Sequence, residues 1–141
     1  MKTGSVGMRS TYWYTLIVGG FLLLQGTSTL LFRLVPALDK AFPMLLGVTH
    51  MIPIHSLLHI TTGLLALAII RWGRPRATWW YALGFGTFYT LLGLTGLMFG
   101  DVLNLGLQPF DHPFHLVAGV PGLLTAALAY FASPLKTEFS K

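Results

Sequence analysis

The stretch 53–70, PIHSLLHITTGLLALAII, decides the fold. It runs eighteen residues without a Lys, Arg, Asp or Glu and opens on a proline. A bilayer core takes roughly 20 apolar residues as a helix. Proline is favoured in a helix's first turn, where its missing amide would find no partner anyway. The stretch therefore reads as a membrane span that starts at Pro53. Three more uncharged runs lie around it, at 10–32, 77–100 and 112–135. The expected fold is an all-α, integral membrane four-helix bundle, one transmembrane domain over 1–141 with spans at about 11–32, 53–70, 78–100 and 112–133. The segment 34–52 is expected to be a partly apolar loop holding a short interfacial helix. The first run is longer than the apolar region of a signal peptide and no A-x-A site follows, so it reads as a retained span.

Composition agrees with this. Of 141 residues, 54% are hydrophobic and 9% charged, whereas a soluble domain carries about 25% charged residues. No cysteine is present, which excludes disulfides, iron–sulfur clusters and thiol catalysis. The net charge of +5 comes from cations at the ends of apolar runs, so nucleic acid is not an expected partner. Lys2, Arg9, Arg71, Arg74, Arg76, Lys136 and Lys141 fall on one side of a four-span topology, and Arg33 and Lys40 on the other. By the positive-inside rule both termini are cytoplasmic, in a bacterial inner or thylakoid-type membrane. Trp72, Trp79, Trp80 and Tyr81, with Tyr12, Trp13 and Tyr14, suit the inner interface.

The chain repeats itself. His55-Ser-Leu-Leu-His59-Ile-Thr-Thr-Gly63 aligns with Asp111-His-Pro-Phe-His115-Leu-Val-Ala-Gly119, and Phe21–Gly26 aligns more weakly with Phe88–Gly93. Each half holds two spans, so the halves share a topology and their pseudo-two-fold axis is expected along the membrane normal. The second and fourth spans are expected to pack on each other through Gly63 and Gly119.

These two elements resemble those of the four-helix bacterial membrane proteins called domain of unknown function 4383, over about residues 14–130. That family carries a His/Asp-polar-x-x-His-x-x-x-Gly element at the start of each even-numbered helix. Its members more usually place asparagine after the first His or Asp, where this chain has Ser56 and His112. The resemblance implies the fold and leaves the activity open.

All five histidines, 50, 55, 59, 112 and 115, lie near the outer ends of the second and fourth spans. Ionisable residues at membrane depth are costly and usually face a bundle interior. His55 and His59 are four apart and share one helix face; Asp111 and His115 form the same pair on the matching helix. Brought together, His55, His59, Asp111 and His115 would suit zinc, copper or iron, with His50 and His112 in supporting positions. A second reading uses His59 and His115 alone as axial ligands of a haem or chlorophyll-type tetrapyrrole, with Gly63 and Gly119 admitting the flat ring. A third makes the cluster structural, through Asp111 as an N-cap and hydrogen bonds among the rings. Proton handling is a fourth.

Small residues line two faces, Gly119, Gly122, Ala126, Ala129 and Ser133 in the fourth span and Gly86, Gly93, Gly96 and Gly100 in the third. Such faces pack helices in lipid, within one bundle or against a partner. Pro121 is expected to kink the fourth span. Thr27-Ser28-Thr29 is expected to bond carbonyls of its own helix. No phosphate-binding loop, zinc-protease motif or nucleophile elbow is present. The expected function is that of a small non-enzymatic membrane protein, a subunit or accessory protein of a larger complex or a homo-oligomer, in contact with lipid and other membrane proteins. The alternative is a metal-, haem- or chlorophyll-binding protein that uses the histidine cluster, with redox activity or transport as a further use of that site.

Overall fold

The computed structural model describes residues 6–44 and 50–132. It is all-helical there, with α1 at Val6–Leu34, α2 at Pro36–Ala41, α3 at Pro53–Trp72, α4 at Pro75–Phe99 and α5 at Asp111–Ala132. Proline opens α2, α3 and α4, each time in the first turn where it costs no hydrogen bond. Four of the helices are long and apolar enough to cross a bilayer. α1 begins five residues before the expected span and α4 three before. α2 is the short helix expected in the first long connection; none of its residues is buried, and Asp39 pairs with Arg33 at the end of α1.

The bundle mixes polar and apolar side chains inside and is apolar outside. Thr11, Thr15, Ser56 and four histidines are buried beside Leu22, Phe85 and Tyr89, whereas Ile17, Leu24, Leu97, Val117 and Leu124 are more than half exposed. In water such a surface would be one continuous apolar patch; against lipid tails it carries no penalty. The chain is an integral membrane protein. Without a hydrophobic force between helices in lipid, close backbone approach and interhelical hydrogen bonds must hold the bundle. Both are present. Trp79 Nε1 donates to Ala126 O at 2.8 Å, Tyr14 Oη to Ala118 O at 2.7 Å, and Tyr81 Oη to Thr62 O at 3.3 Å. The Thr11 and Thr78 hydroxyls meet at 3.1 Å. Thr29 bonds Gln25 O, as expected of its own helix, and also reaches Ser56 Oγ on α3 at 2.8 Å. α5 runs through Pro121 as one helix.

The glycines pack within each hairpin. A Cβ on Gly63 would stand 2.7 Å from Leu23 N and 2.8 Å from Gly19 O, both on α1. A Cβ on Gly119 would stand 2.5 Å from Thr90 N and 3.0 Å from Gly86 O, both on α4. The expectation that Gly63 and Gly119 join the second and fourth spans is therefore corrected. Each glycine lets its helix close on the preceding one, and α3 and α5 face each other across the bundle without such contact. Equivalent positions are used twice. Gly26 meets Ser56 O and Ile60 N, and Gly93 meets His112 O and Leu116. Gly122 and Ala129 are closed off in the same way by Tyr14 and Gly7 of α1. The small face of α5 is thus consumed inside the bundle; Ser133 lies outside the described residues.

At the end where α3 and α5 begin, the two connections fold over the helices. His50 N donates to Gln108 Oε1 at 3.1 Å and Gln108 Nε2 returns to His50 O at 3.4 Å. Asp101 accepts from Gly106 N and Leu107 N, both at 3.0 Å, and so closes the second connection on itself. Leu92, Leu105 and Leu107 form a small apolar cluster beneath it. This is called the histidine end below, and the end carrying Arg9, Arg71, Arg74 and Arg76 the arginine end.

Candidate metal centre

His55 lies in the first turn of α3 and His59 one turn further in; His115 lies in the second turn of α5. His55, His59 and Gly63 are spaced by four along one strip of α3; Gly63, at its deeper end, meets α1, while the His55 and His59 rings reach across the bundle to His115 of α5. On α5, Gly119 meets α4 in the same way, one turn beyond His115. The three rings meet in the space that the hairpins leave between α3 and α5.

The rings are almost completely enclosed, at 1%, 1% and 0% exposure for His55, His59 and His115. One nitrogen from each lies within 4.8 Å of one nitrogen from each of the others. Ring centroids are 4.7 Å apart for His55–His59, 5.8 Å for His55–His115 and 6.5 Å for His59–His115, with the ring planes steeply inclined to one another. Three imidazoles around one ion, with metal–nitrogen bonds of about 2.0 Å, place their centroids about 5–5.5 Å apart. The observed set brackets that spacing; closing on an ion takes a contraction of about an ångström in the longest pair and shifts of a few tenths in the other two.

None of the six ring nitrogens has a hydrogen-bond partner among the described residues. This bears on the structural reading, which needs bonds of roughly 2.7–3.2 Å among the rings or to carbonyls. A neutral imidazole carries one donor and one acceptor, and a buried polar atom left unpaired costs about 1–3 kcal/mol. The geometry gathers donors around a shared centre and does not join them to each other.

Asp111, the fourth expected ligand, is not in this group. Its backbone begins α5 and its Oδ2 accepts from Gln108 N at 2.8 Å. His112 is buried, but its ring fills the space beside Gly96 of α4. The His50 ring lies in the first connection, where Nδ1 meets Pro43 O at 2.8 Å. Neither belongs to the trio. For a tetrapyrrole the glycine argument is also corrected: the sides of Gly63 and Gly119 that were to admit a flat ring are filled by the backbones of α1 and α4.

From the sequence, Phe85, Phe88 and Tyr89 could line a pigment or lipid groove or serve ordinary packing and anchoring; two of them stand at the site. Tyr89 of α4 is fully buried, and its ring stands edge-on to His115 with centroids 5.0 Å apart and 6.1 Å from His59. The repeat alignment places it opposite Leu22, which is equally buried. Phe85 stacks below Tyr89 at 4.0 Å and Tyr81 below Phe85 at 5.4 Å, so one face of α4 floors the site with aromatic rings.

The family model described as Domain of unknown function (DUF4383) matches residues 12–131, and the chain belongs to that family. No curated protein and no solved structure matches it.

Proposed function

We propose that this DUF4383 member is a membrane-embedded metal-binding protein that holds one transition-metal ion on His55, His59 and His115. The observation that carries the proposal is the set of six unpartnered ring nitrogens, enclosed by the bundle and gathered within metal-ligand reach. An ion takes up one lone pair from each ring and so satisfies the acceptor nitrogen of all three. Imidazole donors suit zinc, copper and iron. The arginine end is cytoplasmic on this reading. Arg9, Arg71, Arg74 and Arg76 lie there, against Arg33 and Lys40 at the histidine end. The ion then sits near the outer surface of the membrane. The accessory-subunit reading has less support, because the small-residue faces that suggested it are filled by the chain's own helices.

The test is the metal content of the full chain, purified in mild detergent and reconstituted separately with zinc, copper and iron salts. About one tightly held ion per chain is expected, lost in a His55→Gln/His59→Gln/His115→Gln variant that keeps its helical circular dichroism. Metal no higher in the natural chain than in a folded variant overturns the proposal. A Soret band in the purified protein would overturn it in favour of haem.

A further inference from the structure

We infer that the arginine end binds anionic phospholipids at two equivalent positions, Arg9 with Trp13 on α1 and Arg76 with Trp80 on α4. The inference is independent of the metal site.

α1 and α4 repeat each other at this end. In the register that aligns Phe21–Gly26 with Phe88–Gly93, Arg9 falls on Arg76, Thr11 on Thr78, Trp13 on Trp80 and Tyr14 on Tyr81. The inward members make matching contacts. The Thr11 and Thr78 hydroxyls meet at 3.1 Å, where α1 and α4 touch. Tyr14 Oη donates to Ala118 O at 2.7 Å and Tyr81 Oη to Thr62 O at 3.3 Å, so each of these helices is tied to the last long helix of the other hairpin. These bonds fix how the helices are rotated. With positions 11 and 14 turned inward, positions 9 and 13 share the opposite, outer face, and positions 76 and 80 do the same on α4.

Each outer face carries one arginine and one indole. Trp13 is 57% exposed and Trp80 54%. Each is braced edge-on by the aromatic residue before it, Trp13 by Tyr12 with centroids 5.6 Å apart and Trp80 by Trp79 with centroids 4.6 Å apart. Trp79 is itself held by its bond to Ala126 O. An indole already fixed in place loses little freedom when a ligand settles on it. The arginine stands one turn nearer the helix end, about 6 Å further out. That offset puts the guanidinium at the depth of a lipid phosphate while the indole sits at the boundary below the headgroups. One turn deeper, Ile17 continues the α1 strip as an exposed apolar side chain, and Gly84 leaves open space on α4 for an acyl chain.

Charge selects the headgroup. Arg9, Arg71, Arg74 and Arg76 lie at this end, and no acid among the described residues does. α1 and α4 both run from this end, so their positive dipole ends add to the same field. A guanidinium meets a phosphodiester with a fork of two N–H bonds. A choline headgroup would bring its own cation against the arginines, whereas phosphatidylglycerol brings none. Arg71 is placed differently, its guanidinium lying over its neighbour Trp72 at 5.8 Å.

The experiment reconstitutes the full chain, carrying Trp72→Phe, into vesicles of phosphatidylcholine and phosphatidylglycerol, one of the two lipids bearing brominated acyl chains that quench nearby indoles. Trp79 is buried, so Trp13 and Trp80 are the reporters. Varying the lipid ratio gives the relative affinity at these two positions. Phosphatidylglycerol is expected to be preferred about fivefold, the factor that one arginine near an anionic surface supplies. Arg9→Gln/Arg76→Gln should bring the two lipids close to equality, Arg9→Lys/Arg76→Lys should keep most of the preference, and Arg71→Gln/Arg74→Gln should keep more than half of it. Helical circular dichroism checks that each variant folds, and the comparison of the two lipids needs no arginine variant. Equal affinity for the two lipids, an undiminished preference in Arg9→Gln/Arg76→Gln, or its loss in Arg71→Gln/Arg74→Gln overturns the inference. Loss of the preference in inorganic phosphate, but not in chloride of equal ionic strength, would assign the two arginines to a free anion and overturn the lipid assignment.

Discussion

Replacing Gly119 by alanine tests the packing that aims His115. The new Cβ would stand 2.5 Å from Thr90 N, 2.7 Å from Thr90 Oγ1 and 3.0 Å from Gly86 O, where ordinary contact begins at 3.4 Å. The obstruction is backbone, so no side chain can swing aside, and α4 and α5 must part by about 0.9 Å, the shortfall from 3.4 Å along the shortest line. A gap of that size forfeits about a quarter to a half of the attraction at each neighbouring atom pair, and overpacking of this kind costs about 1–3 kcal/mol. Alanine also favours the helix over glycine by about 1 kcal/mol, which would mask part of the loss. Gly84→Ala removes that ambiguity. Gly84 lies on α4, and a Cβ there meets nothing within 4 Å. The propensity gain is common to both variants, so their difference isolates the steric cost, about 2 kcal/mol. Reversible unfolding of the natural chain, Gly84→Ala and Gly119→Ala in mixed micelles of mild detergent and dodecyl sulfate measures it. Gly84→Ala should be as stable as the natural chain or more so, and Gly119→Ala should fall below both. His115 is one turn from Gly119, so the same variant should bind metal more weakly. Equal stability of the two variants would refute the close approach of α4 and α5 and, with it, the argument for where His115 points.

Further outcomes follow from the same structure. Leu103 holds a positive φ of 65° with its side chain largely exposed, so Leu103→Gly should stabilise the protein by about 0.5–1 kcal/mol in the same unfolding assay, through relief of left-handed strain. Trp79→Phe removes the bond to Ala126 O and should cost about 0.6–1.7 kcal/mol, the range of interhelical hydrogen bonds in lipid. Metal at 100 times its dissociation constant should raise the unfolding free energy by about 2.7 kcal/mol; no rise with saturating metal would place binding outside the folded bundle. The chain lacks cysteine, so single cysteines introduced at Arg74 and Asn104 report topology without background. Asn104→Cys should react with an impermeant thiol reagent from outside intact cells and Arg74→Cys only after lysis; the reverse pattern would invert the proposed orientation.

The four spans were legible because the bilayer imposes a length and forbids charge, and both constraints are visible residue by residue. Pro53 marked the start of α3 for the same local reason that it opens the helix in three dimensions. The meeting of His55, His59 and His115 was legible as well, since ring positions four apart must share a helix face and imidazoles are costly against lipid. What the helical period did not carry was which neighbour each face meets. Gly63 and Gly119 were rightly read as points of close approach, but a glycine says only that some backbone comes near. The partner was supplied by Gly19, Leu23, Gly86 and Thr90 on the preceding helices, which pairs each hairpin with itself and leaves α3 and α5 apart. That correction bears directly on the site. Had Gly63 and Gly119 joined α3 to α5, the two helices would have closed on each other at that depth and left less room between them. Packed as they are within their hairpins, they hold the two ring-bearing faces at a distance that imidazole side chains span. Asp111 stands apart from the three ring nitrogens for a related reason. A carboxylate in the first residue of a helix competes between the site and the backbone amides of the loop before it, and Gln108 N at 2.8 Å is the nearer claim. The donor set is then three imidazoles with the carboxylate standing apart from them, a set that suits the ions imidazole ligates, zinc, copper and iron.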